Sequence, residues 1–466
     1  MPGKPNIIFI TVDCLRADHL GFMGYSKDVS PNIDKLAKES AVFTQAFAIG
    51  PGTPCSFPSI LTSTYPLDYQ GPQIKEPRLM ISQALKEQGY VTAAFHSSCW
   101  LSSFFGYDRG WDFFEDITPD SEMWLETGPQ EETKIKARFL LSGFLRPIER
   151  VVAGFLPELY FPLRYLAYKL RGGSTNIKVK AEAVNLLVKD LIRAKKEEGP
   201  PLFIWIHYMD VHGPYLPYLT YVNDKPLSYQ ETVVKSFPSF LQSCFFRKIA
   251  KRFIRKYLKK TIGLYDQGIE YADEKIGELL DFLRAEDIFQ NSIICFCGDH
   301  GDEFMEHNES SHNNKLYNEL LHVPLLIRAL GVMPQRIDKK VSLIDLPPTF
   351  CSLAGIGISR SFKGKNLFSP QSTEVFHQAI SPKVRGIKHD ADIKDAKYTM
   401  VGYQSNDWKY ILDHATSKEE LYCLKNDQGE KVNVAKLRPE IISAMRKKIE
   451  EFERKNPPLA NLIKNG

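Results

Sequence analysis

Three short apolar runs, each stopping abruptly at side chains that carry charge or bind metals, constrain this 466-residue chain more than any other feature. Residues 7–12 (IIFITV) stop at Asp13. Residues 202–206 (LFIWI) stop at His207, with Asp210 and His212 close behind, and residues 292–297 (SIICFC) stop at Gly298, followed by Asp299 and His300. Continuous rather than alternating apolar character marks strands buried on both faces, the condition of a parallel sheet covered by helices. Between the runs lie helical patterns at residues 32–39, 80–87, 181–195 and 271–283. Strand, helix, strand in succession predicts an α/β fold with a doubly wound, mostly parallel sheet. Ligands of such sheets sit beyond the carboxyl ends of the strands. One Asp after a strand is most simply a turn or cap residue. Three such coincidences predict one polar, metal-capable site at the sheet edge.

Asp13, Asp299 and His300 together suit one hard or borderline divalent ion such as Ca, Mg, Mn or Zn. Such an ion polarises an anionic ester and activates a nucleophile. The nucleophile should lie in a loop that opens a helix, and residues 50–63 (GPGTPCSFPSILTS) fit this need. Glycines and prolines shape a turn, Thr53 offers a hydroxyl, and a helix N-terminus there would present amide donors to a sulfate or phosphate group. From spacing alone, Thr53 is accounted for equally well as a nucleophile or as a helix N-cap.

The segments NIIFITVDCLRADHLGFMGY and SPNIDKLAKESAVFTQAFA resemble the opening of the sulfatase family of the alkaline-phosphatase superfamily. HYMDVHGPY is similar to its substrate-side histidine segment and FCGDHGDEF to its second metal-binding segment. LYNELLHVPLLIR, VSLIDLPPTFCSLAGI and DWKYIL…EELYCLKNDQGEKVNVA follow in the family's order. The resemblance implies Asp13, Thr53, Asp299 and His300 as metal ligands and His207, Asp210 and His212 as substrate contacts. It implies His212 and His312 as leaving-group acids, with Lys315 a rival to His312. Cys14 stands where the family has a second acidic ligand. The family's C-x-P-x-R motif, whose cysteine becomes formylglycine, is not matched. Its nucleophile position falls on Thr53 and its arginine on Phe57, while Cys55 lacks both partners. Formylglycine is therefore not expected, and Thr53 is expected to attack directly, as Ser or Thr does in the phosphatase, phosphodiesterase and phosphonate-hydrolase branches. One metal is expected, because Asp210, His212 and His312 do not match the spacing of the two-zinc phosphodiesterase branch. The implied activity is hydrolysis of sulfate or phosphate esters. The alternatives are transfer of a phospho-head-group to a lipid or glycan, and a non-catalytic binder of anionic glycans or membranes.

Composition adds bounds. A formal net charge of +4 gives no case for nucleic acid. The eight cysteines are scattered without a C-x-x-C pair, as reduced, mostly buried thiols are. The opening MPGKPNIIFITVD turns polar too soon for a secretory leader, so a cytoplasmic location is expected, with contact to a membrane surface allowed. That contact would come from residues 245–260, Phe245 to Lys260 (FFRKIAKRFIRKYLKK), where eight Lys and Arg alternate with apolar pairs. The expected partner is an anionic ester on a small molecule, glycan or lipid head group. A catalytic domain is expected over residues 1–370, with irregular insertions at about 125–172 and 220–262, and a small α+β domain over 371–466.

Overall fold

The computed structural model describes residues 3–70, 73–117, 180–196, 199–213, 215, 244–312, 314–370, 374–380, 399–405 and 407–456. The expected insertion at 125–172 and residues 220–243 of the second lie outside them. In chain order the strands are β1 (Asn6–Val12), β2 (Ala41–Phe47), β3 (Val91–His96), β4 (Phe113–Asp116), β5 (Leu202–Tyr208), β6 (Ser292–Gly298), β7 (Glu303–Phe304), β8 (Ser310–Ser311), β9 (His322–Arg328), β10 (Gln335–Ser342), β11 (Val375–Ile380), β12 (Thr399–Gln404), β13 (Trp408–Asp413) and β14 (Lys418–Cys423). The helices used below are α1 (Pro31–Lys38), α2 (Thr53–Thr62), α3 (Ile81–Lys86), α4 (Ala181–Lys195), α5 (Cys244–Ala285), α6 (Asn318–Leu321), α7 (Leu346–Leu353) and α8 (Pro439–Lys455).

An eight-stranded sheet in the order β10-β2-β9-β6-β1-β5-β3-β4 forms the centre. β1 lies parallel between β5 and β6, and among the described strands of this sheet β9 alone runs antiparallel to its neighbours, β2 and β6. The sheet is doubly wound, as the sequence pattern predicts. On β1, Ile7 and Phe9 enter one core with residues of α2, α3 and α7, while Ile8, Ile10 and Val12 enter the other with α1, α4 and α5. β5 and β6 divide in the same way: Phe203 and Trp205 against Ile204 and Ile206, and Ile293, Cys295 and Cys297 against Ile294 and Phe296. Each such side chain contributes ~1.5–3 kcal/mol of burial, which offsets the ordering of its backbone.

This alternation positions the site. The period of two continues past the strand ends, so Asp13, His207 and Asp299, at odd numbers like Phe9, Trp205 and Cys297, belong to the face that carries α2. The first two runs end next to each other because Thr11 pairs with His207 and Val12 with Tyr208 in parallel register.

The basic run at 245–260 and the apolar pattern at 271–283 join into α5, a single 42-residue helix. No proline lies between residues 244 and 285 to break it. Its second half serves the core and the first loop. The Tyr265 hydroxyl donates to the Cys14 carbonyl at 2.8 Å and accepts from Arg16 N at 2.9 Å. Asp273 accepts from the backbone N–H groups of Asn32 and Ile33, at the first turn of α1. Among the described residues, no helix is long and apolar enough to cross a membrane.

β11–β14 form a separate antiparallel sheet, and Ile442, Met445, Ile449 and Phe452 of α8 pack on it with Val401, Tyr403, Tyr410 and Leu421. This is the small α+β unit that the sequence predicts at the C-terminus. β11 also reaches the main sheet: His377 Nδ1 bonds to the Ala48 carbonyl at 2.9 Å, and Gln378 N donates to the Ile49 carbonyl at 2.8 Å. The segment between β2 and α2 is thus held by the C-terminal sheet.

His377 gives stability a pH dependence. Burial, with the Lys409 charge adding to it, pushes its pKa down to about 3. The same ring titrates near 6.5 in the unfolded chain. Between these values the unfolded chain binds the proton and the folded one does not, so stability falls as pH drops, at up to ~1.4 kcal/mol per pH unit. From pH 7.5 to 5, wild type should lose ~2 kcal/mol through this group, and His377→Gln should show a flatter curve in denaturant titrations. An equally steep curve for His377→Gln would assign the slope to other groups.

Candidate active site

Thr53 opens α2 as its first helical residue. Gly52 is the N-cap, with extended φ −171° and ψ 162° and no side-chain cap. The cap interpretation of Thr53 therefore fails, and its hydroxyl is directed elsewhere. Oγ1 donates to Asp13 Oδ2 at 3.3 Å and lies 3.4 Å from His300 Nε2. Ser56, one turn further on, donates to the Asp299 carbonyl at 2.6 Å and ties the helix to the end of β6. Cys55, two residues along, sits on a different face. A Cβ built at Gly50 would stand 2.4 Å from the Cys55 Cβ and 2.8 Å from the Gln378 carbonyl oxygen, so the cysteine packs toward the β11 contact. Phe57, at the position that the resemblance gives to arginine, is fully buried, with its ring 4.9 Å edge-on to His207 and 5.3 Å from Trp205.

Asp13, Asp299 and His300 meet as expected, and all three are fully buried. His300 Nε2 is 3.4 Å from Asp13 Oδ1 and 3.5 Å from Asp299 Oδ2. Its other nitrogen, Nδ1, bonds to the Gly301 carbonyl at 2.8 Å, which leaves Nε2 facing the carboxylates. Asp299 Oδ1 accepts from Cys14 N at 3.1 Å and His300 N at 2.8 Å. Cys14 has φ +60°, in the left-handed region, and this turn brings its N–H back to Asp299.

The electrostatics follow from two carboxylates in one dry site. Burial would raise the Asp13 carboxyl, but His212, His207 and His300 outweigh it and hold Asp13 well below the usual range. Asp299 takes the opposite course: burial, then the Asp13 charge, pushes it up to about 6. Burial alone would depress His300, yet Asp299 and Asp13 lift it to about 10. The group, two carboxylates set against one imidazole, suits a further cation among them. It also fits a metal ion geometrically, since Asp13 Oδ1 and Asp299 Oδ2 are buried without a hydrogen-bond partner. Donor separations of 3.3–3.5 Å among Asp13, Thr53, Asp299 and His300 match the edges of a coordination shell with bonds of about 2.0–2.2 Å.

The other expected residues divide. His312 lies over the Gly52 turn, with a Cβ built at Gly52 standing 3.7 Å from its Cδ2. Its ring centroid is 4.8 Å from that of His300 and 5.0 Å from that of His212, so both candidate acids border the site. His207 lies inside the group, with Nε2 3.4 Å from Asp13 Oδ2. Asp210 and Lys315 are engaged elsewhere. Asp210 Oδ1 accepts from Ala181 N at the start of α4, and the Lys315 ammonium pairs at 2.7 Å with the fully buried Glu303. One residue was missed. Asp302 is buried, accepts from the Tyr215 hydroxyl and lies 3.3 Å from His312 Nδ1, which orients the His312 ring. The signal for it was a second carboxylate three residues past Asp299, in FCGDHGDEF.

An α/β sheet with a buried carboxylate–imidazole group and a helix-opening hydroxyl at its carboxyl edge defines the alkaline-phosphatase-like class of fold. The Sulfatase family model matches residues 5–356, and the chain belongs to that family. The chain is similar to arylsulfatase K of Bos taurus, 28% identical over 225 residues, or 46% of this chain and 40% of that protein. It thus spans about two fifths of the length of the curated relative it matches. In fold it is similar to a phosphonate monoester hydrolase of Agrobacterium radiobacter (TM-score 0.68, 16% identity, 97% of this chain and 96% of the other). A 2-O GAG sulfatase is similar to the same degree (TM-score 0.67, 16% identity, 97% and 92%).

Proposed function

We propose that this protein is a metal-dependent hydrolase of sulfate or phosphonate esters in which Thr53 is the nucleophile. The observation that carries the reading is the Thr53 hydroxyl at the first turn of α2, in reach of both Asp13 Oδ2 and His300 Nε2. Membership of the sulfatase family and likeness to a phosphonate monoester hydrolase and a GAG sulfatase support this ester class, with glycans among the carriers.

Asp13, Thr53, Asp299 and His300 would hold the metal, which supplies Lewis-acid polarisation of the ester and a lower pKa at the hydroxyl. Asp13, held ionised, accepts the Thr53 hydroxyl hydrogen and so aims the oxygen's remaining lone pairs. The α2 N-terminus adds a favourable dipole for the anionic group. His212 and His312, side by side at the border of the site, would protonate the leaving alcohol, with Asp302 orienting His312 for the transfer.

The test is hydrolysis of aryl sulfate, aryl phosphonate, aryl phosphate and bis-aryl phosphate by the metal-stripped protein with Mn, Zn, Mg or Ca added back. Metal-dependent turnover of the sulfate or the phosphonate is expected. Turnover confined to the phosphate esters would move the substrate class, and no turnover with any metal would favour the non-catalytic binder.

A further inference from the structure

We infer that His207 is a metal ligand, so that the ion would be held by two imidazoles and two carboxylates besides Thr53. This inference deepens the metal-dependent reading proposed above and depends on it.

The argument begins with the His207 tautomer. The Thr11 hydroxyl donates to the Ile206 carbonyl at 3.1 Å, which uses its only hydrogen. It also accepts from Trp205 Nε1 at 3.0 Å, and His207 Nδ1 lies 2.9 Å away. With the Thr11 hydrogen on the Ile206 carbonyl, Nδ1 carries the ring hydrogen and donates it to Thr11. The Nε2 lone pair is left pointing into the site. His207 is fully buried, and Nε2 has no hydrogen-bond partner. What it faces, 3.4 Å away, is Asp13 Oδ2, a second acceptor.

Two acceptors facing each other in a dry site is a costly arrangement unless a cation lies between them. The same site holds two more buried acceptors without partners, Asp13 Oδ1 and Asp299 Oδ2. Donor atoms of Asp13, His207 and Asp299 lie within 4.8 Å of one another. One ion at their common centre satisfies all three orphans at once. The surroundings also fix the ring as ligands are usually fixed: the Thr11 hydroxyl holds the far nitrogen, and Phe57 packs edge-on against the imidazole.

Cys14 is the rival for the extra coordination position. Its sulfur lies 3.5 Å from His312 Nδ1, and it groups with His300 and His312 and with Asp13 and His212, while His207 groups with Asp13 and Asp299. A thiolate and an imidazole are distinguishable to X-ray absorption, because zinc–sulfur bonds are ~2.3 Å and zinc–nitrogen bonds ~2.0–2.1 Å. The choice also matters for metal selection. Two imidazoles favour a borderline metal over calcium, which prefers an all-oxygen shell.

The metal-stripped full-length protein would be titrated with Zn, Mn and Ca. The zinc form would be examined by X-ray absorption and the manganese form by pulsed EPR for imidazole nitrogen couplings. Expected are two coordinated imidazoles, no sulfur, zinc or manganese binding tighter than calcium by about 10²-fold or more, and a single imidazole in His207→Ala. Stoichiometric metal with one imidazole in wild type overturns the inference and leaves the metal-dependent reading standing. A sulfur scatterer, lost in Cys14→Ser, assigns the position to Cys14 and overturns it equally. Calcium binding as tightly as zinc also counts against it. Absence of bound metal sinks the inference and the metal-dependent reading together. The wild-type spectra decide even where His207→Ala fails to fold.

Discussion

Thr53→Ala is expected to lower kcat by about 10⁴-fold or more, the scale on which removal of a covalent nucleophile acts. The variant should keep its metal, because the two carboxylates and His300 remain. It should also keep its fold, since Gly52, not Thr53, caps α2. Thr53→Ser, which preserves the oxygen, should recover much of the rate. Cys55→Ala should stay within a few-fold of wild type, because the Cys55 side chain packs toward Gly50 and the β11 contact. Steady-state kinetics on the best aryl ester decide the matter. If Cys55→Ala is dead while Thr53→Ala turns over, the nucleophile is misassigned and an oxidised cysteine returns as the candidate.

Asp299→Asn should separate function from stability. Burial and the neighbouring Asp13 charge push Asp299 up to about 6, so at pH 7.5 the metal-free protein carries an ionised carboxylate in a place that disfavours it. The sign follows from linkage. A carboxyl raised in the folded state binds its proton more tightly than in the unfolded chain. It therefore lowers apo stability at any pH above its folded pKa, and this penalty disappears as pH falls toward the unfolded value. Asparagine removes the charge and keeps an oxygen to accept from Cys14 N and His300 N. Metal affinity should fall by at least about 10²-fold, the upper end of what loss of a mere supporting residue costs, and turnover with it. Thermal unfolding in chelator should show the variant at least as stable as wild type. A metal-free Asp299→Asn protein that melts well below metal-free wild type would refute this account of the site.

Much of this was legible before any coordinates. The runs IIFITV, LFIWI and SIICFC are strands because β-rich, uninterrupted apolar sequence has few other uses. β1 and β6 end just before Asp13 and Asp299 because charge cannot continue into a two-sided core, whereas β5 runs on through His207 to Tyr208. The glycine- and proline-shaped turn before residues 53–62 marked a helix start, and the mixture of carboxylates and imidazole marked a metal site. In the C-terminal part, the separate small unit was legible only as a region, with no strand assigned within it.

Side-chain direction was not legible. His207 lies near the end of β5 and Asp210 just beyond it, yet Asp210 turns to the first turn of α4 and His207 faces Asp13. Lys315 and His312 lie three residues apart, and only His312 reaches the nucleophile loop. Thr53 fitted a cap and a nucleophile equally well until Gly52 was found in the cap position. The continuity of α5 was divided in the sequence pattern because its first half is strongly basic in composition and its second half carries the apolar periodicity of a core helix.

The sequence by itself determined the three central strands, several of the helices that cover them, and which chemical groups stand at the strand ends. Those properties depend on neighbours a few positions apart, where periodicity and backbone propensity act. Only the tertiary structure decided that Asp13, Thr53, His207, Asp299 and His300 share one buried volume with acceptors left unpaired. Their separation in sequence runs to hundreds of residues, and their distances are set by strand order, by the Thr11–His207 register and by the docking of α2 on the sheet.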